Sequence, residues 1–112
     1  MTNGDYVRAA TVDDIEDGEA IHVDIDGVPV ALVRSGREFY AIHDVCSHAN
    51  VALSEGEIDD QTIECWLHGS RFDLRTGQPS GLPATEPVAT YPVEIRDGDV
   101  YVSPTPSNGV KP

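Results

Sequence analysis

Positive charge is what this sequence lacks most. Seven Lys and Arg stand against 20 Asp and Glu, a formal net charge of −13 at pH 7. With so few cations nothing could neutralise a run of phosphates, which excludes nucleic acid as a ligand. The same shortage argues against an anionic membrane surface. Long apolar runs are missing too, since no stretch approaches the ~20 residues that span a bilayer. The first six residues have neither the basic nor the apolar region of a secretory signal. Aromatics are 6% and hydrophobics 39% of 112 residues, so the expectation is one small domain with a thin core, acting as a monomer. Cysteine is limited to two, and no disulfide framework is possible without spending both; a reducing cytoplasm is the expected compartment. The acid surplus suits solubility and steering toward a basic protein partner.

Helical periodicity and internal repeats are absent as well, and the patterns present are those of strands. Tyr6–Ala10 reads as a first short strand, and Thr11–Gly18 as a turn or single helical turn capped by Thr11. Ala20–Ile25 alternates apolar and polar residues, Asp26-Gly27 is a two-residue hairpin signal, and Val28–Arg34 returns. After a turn at Ser35-Gly36-Arg37, Glu38–Ile42 completes an antiparallel meander. A small hairpin is expected over residues 57–64, a strand over Arg71–Leu74, and a stiff proline-rich loop over Gln78–Pro87. Ala89–Arg96 and Asp99–Val102 flank a second hairpin turn at Asp97-Gly98. The chain is read as all-β, with one domain over residues 1–103 and a disordered, proline-rich tail over 104–112.

Both cysteines fall in short metal-ligand patterns, Cys46-Ser47-His48 and Cys65-Trp66-Leu67-His68. Each pattern places one thiol and one imidazole on a tight turn. Sixteen residues lie between His48 and Cys65, enough for a hairpin out and back. Two thiolates and two imidazoles suit a closed tetrahedral zinc site. They suit equally a [2Fe-2S] cluster with two cysteines on one iron and two histidines on the other. Ligand type alone leaves both open.

The residues around the ligands are more specific. The second pattern continues as Gly69-Ser70-Arg71-Phe72-Asp73-Leu74-Arg75-Thr76-Gly77, a strand at Phe39–Ile42 precedes the first, and a Pro83-Ala84 loop follows. Together they resemble the Rieske family, and within it the soluble ferredoxins of bacterial oxygenase systems. The resemblance implies three antiparallel sheets, with a cluster-binding subdomain (about residues 43–84) inserted into a basal β domain. It implies that Cys46 and Cys65 bind the inner iron while His48 and His68 bind the outer one, in a single [2Fe-2S] cluster per chain. It also implies an electron carrier rather than an enzyme, serving between a flavin-containing, NAD(P)H-dependent ferredoxin reductase and a terminal non-heme iron oxygenase. Two alternatives accompany it: a Rieske-like accessory subunit of a reductase, of the nitrite-reductase small-subunit type, and a zinc-stabilised interaction module.

Two departures from other family branches follow. Respiratory relatives carry an extra disulfide between the ligand loops, where this chain has Val51 and Leu67. High-potential members donate hydrogen bonds to the cluster from a Ser and a Tyr; Ser70 matches the first, but Phe72 stands at the second and has no hydroxyl. A potential toward the low end of the family range is therefore expected. Trp66 is read as a ring packed against the ligand loops, His43 as a polar loop residue, and His22 as surface. Arg71 and Arg75 are read either as steering groups or as ordinary surface charge.

Overall fold

Residues 6–46, 51–59, 61–66, 70–80 and 86–110 are described in the computed structural model of the chain. The expected meander forms from β2 (Glu19–Ile25), β3 (Val28–Ser35) and β4 (Glu38–His43). Asp26 and Gly27 both take positive φ, 52° and 85°, which matches the right-handed twist of the strands they join. Asp97 and Gly98, at 51° and 82°, repeat this turn between β9 (Val93–Arg96) and β10 (Asp99–Val102).

Three antiparallel sheets result, as the resemblance implied. The central one runs β2-β3-β4-β8, where β8 is Thr90–Tyr91. The basal sheet runs β1-β10-β9, with β1 at Val7–Thr11. The third runs β5-β6-β7, at Ile58–Asp59, Thr62–Glu64 and Arg71–Asp73. In sequence this third sheet lies between β4 and β8, which pair directly through Ala41 with Tyr91 and Ile42 with Thr90. The His43 N–H donates to the Ala89 carbonyl at 2.9 Å, so the chain leaves the central sheet and rejoins it at one place.

Strand β3 lies between two cores. Val30, Ala31, Leu32 and Val33 are all fully buried. Val30 and Leu32 face a cluster with Ile25, Tyr91, Val100 and Val102 toward the basal sheet. Ala31 and Val33 face the other way, into a cluster with Ile42, Leu53, Ile63, Phe72 and both cysteines. A strand covered on both faces has no solvent side, which is why its sequence is a continuous apolar run. Val30, Leu32 and Val33 each contribute roughly 1.5–3 kcal/mol by burial, as an upper bound.

Two expectations are corrected. The single strand expected over Ala89–Arg96 is two: β8 pairs with β4 in the central sheet, and β9 pairs with β10 in the basal sheet. The switch falls at Pro92, which has no N–H to give a ladder and whose carbonyl instead accepts the Ser103 N–H at 3.1 Å. The tail, expected to be disordered, is tied down over residues 104–110. The Ser107 N–H donates to the Thr90 carbonyl at 2.7 Å, and the two hydroxyls lie 2.8 Å apart. Asn108 accepts the Thr90 N–H at 3.2 Å and donates to the carbonyls of Thr76 (2.9 Å) and Val88 (3.0 Å). β8 is the edge of the central sheet, and its unpaired backbone groups give the tail partners that proline content alone does not reveal.

Truncation after Ser103 removes these bonds and uncovers that edge. Urea unfolding of the truncated chain should show a loss of about 2–3 kcal/mol, whereas a loose tail would cost nothing.

Candidate metal centre

Of the four predicted ligands, the structure describes two. Cys46 follows β4 and is 3% exposed; Cys65 directly follows β6 and is fully buried. Both are thiols without a disulfide, and the fold brings the two cysteines into one apolar cluster. His48 and His68 lie outside the described residues, as do Leu67, Gly69 and the Pro83-Ala84 loop.

Each cysteine starts a segment closed in the same way. The Cys46 N–H donates to the Val51 carbonyl at 3.0 Å, and the Cys65 N–H to the Ser70 carbonyl at 2.6 Å. In both, the acceptor lies five positions after the donor. Gly56 joins the two halves: a Cβ there would lie inside the van der Waals envelope of the Glu64 carbonyl oxygen, one residue before Cys65. The neighbouring Glu64 N–H donates to the Glu57 carbonyl at 2.9 Å. The return of the first segment thus rests on the backbone that launches the second.

Behind the thiols the wall is apolar. Phe72, opposite Ile63 across β6 and β7, is fully buried in the cysteine cluster, and Ser70 is 1% exposed. Val51 packs against the same cluster. Two buried, soft thiol donors fit a thiophilic metal, zinc or an iron–sulfur centre alike.

Among the other residues singled out, Trp66 and His43 are placed differently from their sequence reading. Trp66 is 51% exposed, so the expectation that its ring packs against the ligand loops is corrected: the indole turns outward directly after buried Cys65. Arg71 and Arg75 are engaged with Glu64 at 3.4 Å and Asp73 at 3.0 Å. The hydrogen bonds from Arg75 hold the Asp73 carboxyl below the usual carboxylate range. His43 ends β4, and its Nδ1 lies 3.1 Å from the Tyr91 hydroxyl. Burial lowers the His43 pKa and pushes that of Tyr91 up to about 12. His22, half-exposed on β2, reaches inward to Asp44, whose side chain is fully buried. Nothing in the sequence marked Asp44: one acidic residue among 20 carries no pattern that betrays its burial.

Comparison with known proteins adds an independent line. Residues 5–92 match the family described as the Rieske [2Fe-2S] domain. The ferredoxin subunit of 3-phenylpropionate/cinnamic acid dioxygenase from Shigella sonnei is 47% identical over 97 residues, 86% of this chain and 91% of that one. Among solved structures, the ferredoxin of carbazole 1,9a-dioxygenase from Nocardioides aromaticivorans superposes with a TM-score of 0.86 at 41% identity, covering 89% of this chain and 98% of that one. A chain from a complex of reduced oxygenase and oxidised ferredoxin in carbazole 1,9a-dioxygenase gives 0.87 at 35% identity, covering 94% and 98%. A protein described as the small subunit of NADPH nitrite reductase, 23% identical, shares the fold alone.

Two outcomes follow from the geometry. Gly56→Ala has to push β6 away from the first segment, and should cost about 1–3 kcal/mol in urea unfolding and loosen metal retention. The hydrogen bond from His22 to Asp44 raises the His22 pKa above its ordinary value. Its stabilising contribution is therefore complete below the unfolded pKa, about 6.5, and is lost as pH rises through the folded value. The urea midpoint of the wild type should fall above that point, and His22→Gln should flatten this alkaline limb.

Proposed function

This chain belongs to the Rieske [2Fe-2S] family, and from that membership we propose that Cys46 and Cys65 hold one iron of its cluster while His48 and His68 hold the other. The observation that carries the assignment is the pair of buried thiols in one core cluster, each at the start of an equally closed segment. Covalent connectivity supports the histidines: two residues span at most about 7 Å and three about 11 Å, so each imidazole is tethered close to its thiol. When bound, the cluster supplies reversible one-electron chemistry, within a family range of about −150 to +300 mV.

The protein is an electron-transfer component, not a catalyst. It carries single electrons to a terminal oxygenase, as its kinship with dioxygenase ferredoxin subunits supports. We infer that its electrons come from a flavin-containing, NAD(P)H-dependent reductase. Two thiols without a disulfide suit work in a reducing cytoplasm, and no helix among the described residues is long and apolar enough to cross a membrane.

The residues around the thiols tune that work. Leu53, Ile63, Phe72 and Leu74, each at most 1% exposed, keep water from the cysteine side. Phe72 offers that wall no hydroxyl, which leaves the reduced, more negative state with one hydrogen bond fewer and favours a low potential.

The purified protein should be red-brown, contain two iron and two sulfide per chain, bleach on reduction and give a Rieske-type EPR signal. A colourless protein with stoichiometric zinc would refute the assignment. Phe72→Tyr should raise the potential by roughly 65–130 mV, the one-electron equivalent of the roughly 1.5–3 kcal/mol that a hydrogen bond to a charged centre is worth. An unchanged or lower potential in a redox titration would remove Phe72 from the explanation.

A further inference from the structure

The two thiol-bearing segments share an inner closure but stand on different bases. Segment 65–70 is the turn of a hairpin: Glu64 and Arg71 face each other across β6 and β7, and their side chains pair at 3.4 Å. Segment 46–51 has no strand on its far side. The chain returns instead as the short 3-10 turn Leu53–Glu55. Where a ladder would hold the base, the structure has Asp44.

The Asp44 N–H donates to the Pro29 carbonyl at 3.0 Å, fixing it to the start of β3. Its carboxylate receives three donors. The Ser54 N–H reaches Oδ1 at 2.6 Å, the Ser54 hydroxyl reaches Oδ2 at 2.7 Å, and His22 Nδ1 reaches Oδ2 at 2.5 Å. A fully buried carboxylate is costly unless it is paired and hydrogen-bonded, and these contacts meet both conditions. The carboxylate therefore binds β2 and the returning limb of the segment that begins two residues later at Cys46, while the backbone N–H of the same residue binds β3.

We propose that Asp44 is the positioning residue of the metal centre: its buried carboxylate, held by His22 and Ser54, does for segment 46–51 what the β6–β7 ladder does for segment 65–70. The role rests on the ligand assignment above, because it matters through the placement of Cys46. Groups that orient metal ligands commonly change metal affinity or activity by ten- to a hundredfold when removed. Asparagine has nearly the same shape but is neutral, with a donor amide in place of one acceptor oxygen, so it cannot accept all three of these hydrogen bonds or pair with a charged His22.

The test uses the cluster-loaded full chain as wild type, Asp44→Asn, Ser54→Ala and Val100→Ala. Val100 belongs to the cluster on the opposite side of β3 and controls for general loss of stability. Four quantities are measured: iron release to an excess of the chelator bathophenanthroline, EPR g-values, reduction potential and the urea midpoint. Asp44→Asn should release iron about tenfold faster and shift the g-values. Ser54→Ala, which keeps the backbone donor, should move both in the same direction by less. Val100→Ala should lower the urea midpoint and leave g-values and potential unchanged. If Asp44→Asn does not accumulate, Ser54→Ala carries the test.

Wild-type release rates and g-values in the Asp44 variant, or in Ser54→Ala where that stands alone, would overturn the positioning role. So would Val100→Ala reproducing the shifts. A wild-type protein without two iron and two sulfide would instead overturn the ligand assignment and take this role with it. That result is read before any variant is compared, so the two failures are distinct.

Discussion

Everything in this molecule depends on a strand that has no outside. Because β3 is covered on both faces, its side chains are shared alternately between the basal core and the core that holds the cysteines. Each core thus backs the other through one shared wall, and both are close-packed against it. For a protein that changes charge by one electron such a frame is useful, because it holds the two cysteines on rigid, close-packed elements.

The metal-bearing half is built with economy on that wall. Gly56 lets backbone meet backbone where any side chain would intrude, and the Glu57–Glu64 hydrogen bond reinforces the contact. The two segments are thereby held as one unit although they leave different sheets. The charge around them is also resolved. Arg71 and Arg75 are engaged with acidic neighbours, while Glu55, Glu57 and Asp59 remain exposed on the third sheet and its approach. The acid surplus thus extends to the site-bearing side of the molecule, which suits a partner with a basic face.

Much of this was legible in the sequence because the signals were local. Asp26-Gly27 and Asp97-Gly98 announce their turns through residues that tolerate positive φ, and both turns form as expected. The spacing of Cys46 and Cys65 from their histidines carried the donor set, and the run after His68 carried the family. What stayed hidden depends on distant parts of the chain. Pro92 divides a run that reads as one strand, because which sheet each half joins is decided by β4 and β10. The tail looked structureless because its partners, Thr76, Val88 and Thr90, lie far back in the sequence. Trp66 was assigned to packing from the general habit of tryptophan, but its indole turns outward directly after buried Cys65. Asp44 was invisible for the same reason: burial of an acid is a property of three elements meeting, not of the residues beside it.

The His43–Ala89 hydrogen bond fixes the two ends of the excursion that carries the third sheet at adjacent points of the central one. An excursion whose ends are already pinned together adds no gap to the host sheet, and closing it costs only slowly more as it lengthens. Evolution can therefore lengthen, shorten or re-face the metal-bearing arm without refolding its pedestal. The same pedestal can present one electron-carrying head to many different recipients.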